Sequence, residues 1–377
     1  SLGLVGSEMC IRDSDCTGKY LVPGFIDAHM HIESCMAAPG ELAKVLAKAG
    51  TTTIIADPHE IVNVSGTKGM DYFLKCAAKL LVNVFFMVPS AVPATDVETN
   101  GCGEFLASDM MKYVDNARVL GLGETMRFME CCEGEKRMAD KLELFAKKHI
   151  DGHAPGIRGK EVQAYRLAGV ENDHECSTAE EVLDKLRAGL HIYVREGSGA
   201  KNLETLIKTM LDAGVCLDRC AFCTDDKHVE EIRKEGHIST CIRKAIALGV
   251  PVAKAYKMGS YQAAEFYGLK NYGAIGAGYR ADIVFLDDLE QVRPLDVMKD
   301  GRILTEEDYA KDYSVPVPDE LLHTVHVGEV TKEKIRLSCD GKTDVIQMNP
   351  HQIVTTHLVE EVPAENGYFK SDGVYNK

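Results

Sequence analysis

The sequence predicts an α/β protein, with a closed (β/α)8 TIM-like barrel followed by a partial small β domain. Short apolar runs rich in β-branched residues alternate with helical segments, and eight such runs occur before residue 226. Polar residues follow the ends of most of these runs. Strands that alternate with helices are typical of parallel βα units, and eight units favour a closed barrel over an open sheet.

The predicted strands and helices follow one another in the order that a barrel requires. The strands are Tyr20–Ile26, Thr51–Ala56, Asn83–Val88, Val119–Gly123, His149–Gly152, Val170–Asn172, Leu190–Val194 and Ala221–Thr224. The helices are Glu41–Lys48, Thr67–Leu80, Glu135–Lys148, Lys160–Leu167, Thr178–Ala188, Asn202–Leu211 and His237–Leu248. Several helices begin at Ser, Thr or acidic residues and stop at a glycine, as at Gly50 and Gly189.

The pattern changes after Leu269. Ala281–Leu286 and Val297–Leu304 resemble strands, and Asp300-Gly301 is a turn signal. We therefore expect the barrel at residues 15–270 and a partial β-sandwich at 271–310.

Composition limits the class of protein and its partners. The chain has 377 residues, with 43 Lys and Arg against 58 Asp and Glu, which gives a formal charge of −15. Such a chain repels phosphate backbones and anionic lipid, so we expect no nucleic acid and no membrane partner. The most apolar stretch, Leu80–Pro93, is interrupted by polar residues and is shorter than the ~20 residues that cross a bilayer.

The 13 cysteines are scattered and odd in number, which indicates a reducing cytosol and a cytoplasmic protein. Cys216, Cys220 and Cys223 come closest to a zinc cluster, but no second cluster follows. We interpret the cysteines as small buried hydrophobic residues.

The residues after the strands carry candidate chemistry, because barrels place their active sites at the carboxyl ends of the strands. His29 and His31 follow the first strand with a spacing that puts both on one side, where two imidazoles can bind one metal ion. Glu124, after the fourth strand, is either a carboxylate that bridges two cations or a helix cap. His153 and His174 follow the next two strands and are either ligands of a second ion or ordinary loop histidines.

Two carboxylates end the eighth strand. Asp225 can bind metal and accept the proton of a bound water, while Asp226 can contact the substrate. A solvated acidic loop or a pair of helix caps is the alternative.

Seven motifs together resemble the bacterial-type adenine deaminases of the amidohydrolase superfamily, over about residues 15–370. They are Leu21-Val22-Pro23-Gly24-Phe25-Ile26-Asp27-Ala28-His29-Met30-His31, Ala56-Asp57-Pro58-His59-Glu60, Gly121-Leu122-Gly123-Glu124, Asp151-Gly152-His153-Ala154-Pro155-Gly156, Asn172-Asp173-His174-Glu175, Arg195-Glu196-Gly197-Ser198 and Cys223-Thr224-Asp225-Asp226. The resemblance implies an amidohydrolase-type barrel that hydrolyses adenine to hypoxanthine and ammonia, with a metal-bridged hydroxide attacking purine C6.

The resemblance also implies roles for single residues. It implies two divalent ions, most often Mn²⁺ or Fe²⁺ with Zn²⁺ as an alternative, bound by His29, His31, Glu124, His153, His174 and Asp225. The chemistry of such a centre makes Asp225 and Glu175 the candidate catalytic residues: Asp225 for proton transfer, and Glu175, if protonated, as a donor to the charge that develops on the ring nitrogens, with Arg195 as the other candidate donor. From their places after the strands, the candidate substrate contacts are Asp226, Arg195, Glu196, His59 and Glu60. For His59 and Glu60 the alternative is a helix-start cap with a solvated histidine. His237 also matches the family pattern, without an assigned role.

Both ends of the chain depart from the family pattern. Residues 1–14 resemble nothing in it, so we expect a non-native leader there. Asn349–Leu358 resembles the beginning of the family's long C-terminal domain, so we expect residues 311–377 to be the start of a truncated domain. For the full-length protein we expect a homo-oligomer with adenine as its small-molecule partner.

Two rival functions remain open at this stage. One is another amidohydrolase that acts on a different aminated heterocycle or a cyclic amide, although no lysine stands at the Glu124 position to form the carbamylated bridge common among cyclic amidases. The other is a non-catalytic barrel fragment.

Overall fold

The eight parallel strands close into a barrel. The computed structural model describes residues 15–98, 100–339, 341–371 and 373, so the predicted leader at 1–14 lies outside the described residues. The barrel strands are β2 (Phe25–Met30), β3 (Thr51–Ala56), β4 (Asn83–Val88), β5 (Val119–Thr125), β6 (His149–Gly152), β7 (Asn172–Asp173), β8 (His191–Arg195) and β9 (Cys220–Cys223). They form a five-stranded parallel sheet, β2 to β6, and a three-stranded parallel sheet, β7 to β9.

Backbone hydrogen bonds join the two sheets at both edges. Met30 and Asp225 form a parallel bridge, in which the Asp225 N–H donates to the His29 carbonyl at 3.0 Å. At the other edge, the Glu171 N–H donates to the Ile150 carbonyl at 3.0 Å. The predicted (β/α)8 fold class is confirmed.

Helices surround the barrel, and their apolar faces form the hydrophobic core together with the outward-facing side chains of the strands. They are Pro39–Lys48, His59–Ser65, Thr67–Ala77, Ala107–Met110, Phe128–Glu133, Lys136–Leu144, Lys160–Leu167, Ala179–Arg187, Leu203–Asp212, Val229–Glu235, Ile238–Ala247, Val252–Met258, Tyr261–Phe266 and Glu306–Ala310. Short 3-10 turns occur at Glu33–Cys35, Met111–Tyr113, Leu217–Arg219 and Asp319–Leu321. Buried side chains of the strands, such as Phe86 and Phe222, pack against the apolar faces of these helices.

A small antiparallel sheet corrects the prediction for the first strand. It consists of β1 (Tyr20–Pro23), β10 (Ile283–Leu286), β11 (Pro294–Lys299) and β12 (Arg302–Ile303), paired in the order β1-β10-β11-β12. The predicted strand Tyr20–Ile26 is therefore two strands in two different sheets. The chain crosses between them at Gly24, whose N–H donates to the Asp282 carbonyl at 2.8 Å and where a Cβ would lie 2.1 Å from Thr52 Oγ1.

The second predicted strand of this region is also divided. Val297–Leu304 is strand-like in sequence and contains a turn signal; in the structure β11 ends at Lys299 and β12 begins at Arg302. The intervening Asp300-Gly301 turn has positive φ angles of 51° and 79°, so the turn signal was correct and the strand bounds were wrong.

The chain after residue 310 runs along the surface and ends in two hairpins. Their strands are β13 (Lys342–Gln347), β14 (Thr356–Glu361), β15 (Ala364–Glu365) and β16 (Tyr368–Phe369). Apolar side chains such as Ile346, Met348 and Val359 are exposed there. Among the described residues, no helix combines the length and apolarity that a membrane span needs. The buried cysteines of the described part of the chain form no disulfide.

Candidate metal centre

Imidazoles and carboxylates from five strand ends meet at one mouth of the barrel. His29 belongs to β2 and Glu124 to β5, whereas His153, His174 and Asp225 follow β6, β7 and β9. Because side chains at i and i+2 of a strand face the same side, His29 and His31 meet with their Nε2 atoms 3.2 Å apart. The six residues predicted as metal ligands are brought together.

Glu124 lies between two groups of histidines. Its Oε1 is 2.9 Å from Nδ1 of His59 and 3.6 Å from Nε2 of His31. Its Oε2 is 2.7 Å from Nδ1 of His153 and 3.2 Å from Nε2 of His174. Each oxygen thus faces a different pair of imidazoles, which is the arrangement that a bridging carboxylate needs.

The backbone before Glu124 is shaped to hold it. The carboxylate of Asp57, at the end of β3, accepts the Glu124 N–H at 2.8 Å through Oδ2. A Cβ at Gly123 would lie 2.1 Å from that same Oδ2, so only glycine permits this approach. The Gly-Glu pair therefore fixes the height of the carboxylate at the barrel mouth.

Asp225 has its two oxygens divided between the histidines and an arginine. Oδ1 is 3.1 Å from Nε2 of His31 and 3.4 Å from Nε2 of His29. Oδ2 accepts a hydrogen bond from Arg195 Nη1 at 2.9 Å. Asp225 has a φ of 57°, and the backbone bonds to β2 hold it in this left-handed conformation.

Glu175 lies beside the second group of histidines. Its Oε1 accepts a hydrogen bond from Arg195 and is 3.4 Å from Nε2 of His174 and 3.6 Å from Nδ1 of His153. Its Oε2 is buried without a hydrogen-bond partner. One oxygen of Glu175 is therefore anchored, and the other is free to contact a bound molecule.

Charge around the cluster shifts the pKa values of its members in opposite directions. Burial favours the neutral imidazole of His153, but the carboxylates of Glu175 and Glu124 outweigh it and raise the pKa of His153 to about 9. Burial likewise favours protonated Glu124, but the His153 imidazole and other neighbours hold the pKa of Glu124 well below its usual range. The carboxylates of Glu124 and Glu175 thus favour positive charge on the groups that surround them.

The donor set fits divalent metal ions. Four groups of three residues have ligand atoms within 4.8 Å of one another: His29, Glu124 and His174; His29, His31 and Asp225; His31, His59 and Glu124; and His153, His174 and Glu175. Neither ring nitrogen of the buried His174 has a hydrogen-bond partner, although Nε2 approaches Glu124. Imidazole and carboxylate ligands suit Zn²⁺, Fe²⁺ and Mn²⁺. Bound cations would also neutralise the negative charge of the carboxylates.

The residues predicted as substrate contacts are placed differently from one another. His59 lies against Glu124, closer to the centre than the sequence indicated, and Glu60 Oε2 is 3.5 Å from Nδ1 of His31. Arg195 is buried and binds the catalytic candidates, and Asp226 is exposed near the mouth. Glu196 is not brought to the cluster, because its Oε1 accepts a hydrogen bond from Lys244 at 2.6 Å.

His237 has a structural position that the sequence left without a role. It is buried, with Nε2 3.1 Å from Asp27 Oδ2 and Nδ1 2.9 Å from Thr51 Oγ1. Asp27 in turn accepts the N–H groups of His29 at 3.1 Å and Thr224 at 3.2 Å. This network ties β2 to the end of β9 beneath the cluster.

Sequence reasoning missed two residues that hold the site. Asp57 was quoted within a motif without a role, although it binds the backbone of Glu124. Asn202 accepts from Arg195 Nη2 at 3.0 Å, but it lies seven positions after Arg195, and no pattern in the sequence links them.

Comparison with known proteins agrees with this geometry. The profile described as "Amidohydrolase family" matches residues 20–304. A curated "Adenine deaminase" of Desulfitobacterium hafniense (strain Y51) is 43% identical over 374 residues, which cover 99% of this chain and 65% of that protein. "Adenine deaminase 2" of Carboxydothermus hydrogenoformans is 42% identical over 359 residues, which cover 95% of this chain and 62% of that protein. The chain thus spans less than two thirds of the length of these relatives.

Solved structures share the fold at low sequence identity. A crystal structure of an adenine deaminase aligns with a TM-score of 0.56 and 19% identity, over 78% of this chain and 90% of that one. A β-aspartyl dipeptidase from Fervidobacterium islandicum AW-1 aligns with a TM-score of 0.58 and 17% identity, over 81% of this chain and 88% of that one. Since the profile matches most of the chain and the barrel has the same architecture, the chain belongs to the amidohydrolase family.

Proposed function

We propose that the chain carries the catalytic barrel of an adenine deaminase, which hydrolyses adenine to hypoxanthine and ammonia. The observation that carries the proposal is the placement of Glu124 between two groups of imidazoles, with Asp225 and Glu175 on either side. The relatives printed as adenine deaminases, at 42% to 43% identity, support purine as the substrate class.

The metal ligands we propose are His29, His31, Glu124, His153, His174 and Asp225, for two divalent ions. Mn²⁺ or Fe²⁺ are the proposed ions, with Zn²⁺ as the alternative. Such ions lower the pKa of water towards neutrality and neutralise negative charge that develops during hydrolysis. We also propose His59 as a candidate metal ligand. Its Nδ1 is 2.9 Å from Glu124, similar to the 2.7 Å between Nδ1 of His153 and Glu124.

Asp225 is proposed to transfer the proton. In the net reaction water adds oxygen to C6 and the bond from C6 to the amino nitrogen breaks. One proton of the water leaves with the ammonia, and the other remains on a ring nitrogen of hypoxanthine. Oδ1 of Asp225 faces the histidines, where water would be held, while Arg195 fixes Oδ2 at 2.9 Å. A carboxylate held at one oxygen can accept a proton at the other and give it to the departing amino group.

Glu175 and Arg195 are proposed to orient the purine and the acid-base residues. The unpartnered, buried Oε2 of Glu175 can accept a hydrogen bond from a ring N–H of adenine, or, once protonated, donate one to an unprotonated ring nitrogen. Arg195 has no exposed surface and binds both carboxylates, so it acts by positioning them. Asp226 and Glu60 remain proposed substrate contacts at the mouth, and His59 is proposed either as such a contact or as a further metal ligand. Glu196 would need to leave Lys244 to become a substrate contact.

The decisive experiment measures ammonia release by this chain with and without added Mn²⁺. We expect release from adenine with formation of hypoxanthine, seen by ultraviolet absorbance, and about two ions per chain by metal analysis. Turnover of guanine, cytosine or dihydroorotate in place of adenine would favour another amidohydrolase. A folded, metal-free and inactive protein would favour the non-catalytic barrel.

One variant with a matched control tests the proton-transfer role. Asp225→Asn should lower kcat by at least about a hundredfold, because loss of a general acid-base group costs 10²–10⁴ in rate. Asp212→Asn makes the same chemical change at an exposed position at the end of the helix Leu203–Asp212 and should leave kcat unchanged. Equal rates in the two variants would contradict the role of Asp225.

A further inference from the structure

The loop of the β13–β14 hairpin reaches the rim of the barrel. The Lys201 N–H donates to the His351 carbonyl at 3.1 Å, and Asn202 Nδ2 donates to Gln352 Oε1 at 3.1 Å. His351 is held at a φ of 60°, and Gln352 is half-buried where its neighbours His351 and Ile353 are exposed. The loop between β13 and β14 is therefore bound to the segment that follows β8.

From Asn202 the contacts continue into the candidate metal centre. Asn202 is fully buried, and its Oδ1 accepts hydrogen bonds from Nε and Nη2 of Arg195 at 3.3 and 3.0 Å. Arg195 Nη1 in turn donates to Glu175 and to Asp225 Oδ2. An unbroken series of hydrogen bonds thus connects Gln352 to both carboxylates.

Arg195 and Gln352, at opposite ends of the Asn202 amide, together fix the direction of these bonds. An Asn amide has an oxygen and a nitrogen of nearly equal size, and its partners decide which end faces which way. Arg195 offers donors alone, so Asn202 must present its oxygen to the guanidinium. At the opposite end of the amide, Asn202 Nδ2 donates a hydrogen bond to Gln352 Oε1.

We propose that Gln352 is a positioning residue: it fixes the orientation of the Asn202 amide and thereby holds the Arg195 guanidinium where it donates hydrogen bonds to Asp225 and Glu175. This inference rests on the proposed deaminase function and extends the site to a segment outside the barrel. Gln352 does not touch the reacting atoms. Its effect reaches catalysis through the orientation of Asn202 and Arg195.

The first test compares two leucine substitutions in the same hairpin. Gln352→Leu removes the acceptor, whereas Gln347→Leu makes the same change at an exposed side chain of β13. Loss of one hydrogen bond corresponds to about a three- to tenfold change, so we expect Gln352→Leu to lower kcat by that factor with KM and metal content unchanged. Gln352→Glu keeps an acceptor for Asn202 and should restore kcat to within about twofold.

A double variant separates positioning from a general structural role. Asn202→Ala removes the residue through which Gln352 is proposed to act. If the proposal holds, adding Gln352→Leu to Asn202→Ala lowers kcat no further, because the two changes remove the same connection. Independent, multiplying losses would overturn the proposal.

A measurement without substrate keeps this inference distinct from the proposed function. Hydrogen exchange should be faster at the backbone amides of Lys201 and Asn202 in Gln352→Leu, by about three- to tenfold, and unchanged in Gln347→Leu. Equal exchange in both variants overturns the proposal whatever the turnover. If the unmodified chain forms no hypoxanthine, the deaminase function fails, and the exchange rates still decide whether Gln352 holds Asn202.

Discussion

Replacement of Lys185 by methionine should destabilise the barrel by about 3 kcal/mol. Lys185 lies in the helix Ala179–Arg187 with no exposed surface, and its Nζ donates to Asp173 Oδ1 and to the Ala154 carbonyl, each at 2.7 Å. The Asp173 carboxylate also accepts the N–H groups of Glu175 and Ala154, each at 2.9 Å. This ion pair therefore holds the two loops that carry His153 and His174.

The size of the effect follows from the charge that the substitution leaves behind. Burial alone would raise the pKa of Asp173, but Lys185 outweighs it and lowers that pKa. Methionine keeps the length of the side chain without its charge, so the Asp173 carboxylate stays buried without a counter-ion. Breaking a buried pair in this way costs about 3–5 kcal/mol, and the two remaining backbone donors place our expectation near about 3 kcal/mol.

Urea unfolding followed by circular dichroism measures this loss. Lys208→Met is the matched control, because Lys208 pairs with Glu204 one helical turn away, with side chains 55% and 69% exposed. Such surface pairs contribute about 0.3–0.5 kcal/mol.

The double variant Lys185→Met with Asp173→Asn completes the test. It should lose less stability than the sum of the two single variants, by at least about 1 kcal/mol, because it leaves no unpaired charge. Equal unfolding midpoints for Lys185→Met and Lys208→Met, or additive losses in the double variant, would refute the reasoning.

Three further outcomes follow from the structure. Gly123→Ala should lower metal content and ammonia release together, because the added Cβ displaces Asp57. It should also lower the free energy of unfolding in urea by about 1–3 kcal/mol. Unchanged metal content would contradict this prediction. His191 is kept from protonation by burial and by Arg219, which lower its pKa from 6.5 to about 4. The unfolded chain therefore binds a proton first as pH falls, so stability should decrease between about pH 6.5 and 4, less steeply in His191→Gln; parallel pH profiles would contradict it. A chelator should abolish ammonia release from adenine, Mn²⁺ should restore it, and full activity after metal removal would refute the proposed centre.

Local sequence patterns were sufficient for the barrel and for most of the site. The bounds predicted for Thr51–Ala56, Asn83–Val88 and His149–Gly152 match those of the structure. Runs of β-branched residues between turn signals specify strands, and parallel strands of a barrel bring their carboxyl ends to one mouth. For that reason the meeting of His29 with Glu124 could be expected before any coordinates.

The tertiary structure alone decided which way several side chains turn and where one sheet gives way to another. Gly24 divides the first predicted strand because Asp282, far along the chain, binds its backbone. Glu196 turns to Lys244, and Asn202 joins Arg195 to Gln352, through contacts between residues distant in sequence. Side-chain periodicity determines the face of a strand, but beyond the strand's last residue the direction depends on what the rest of the chain packs beside it.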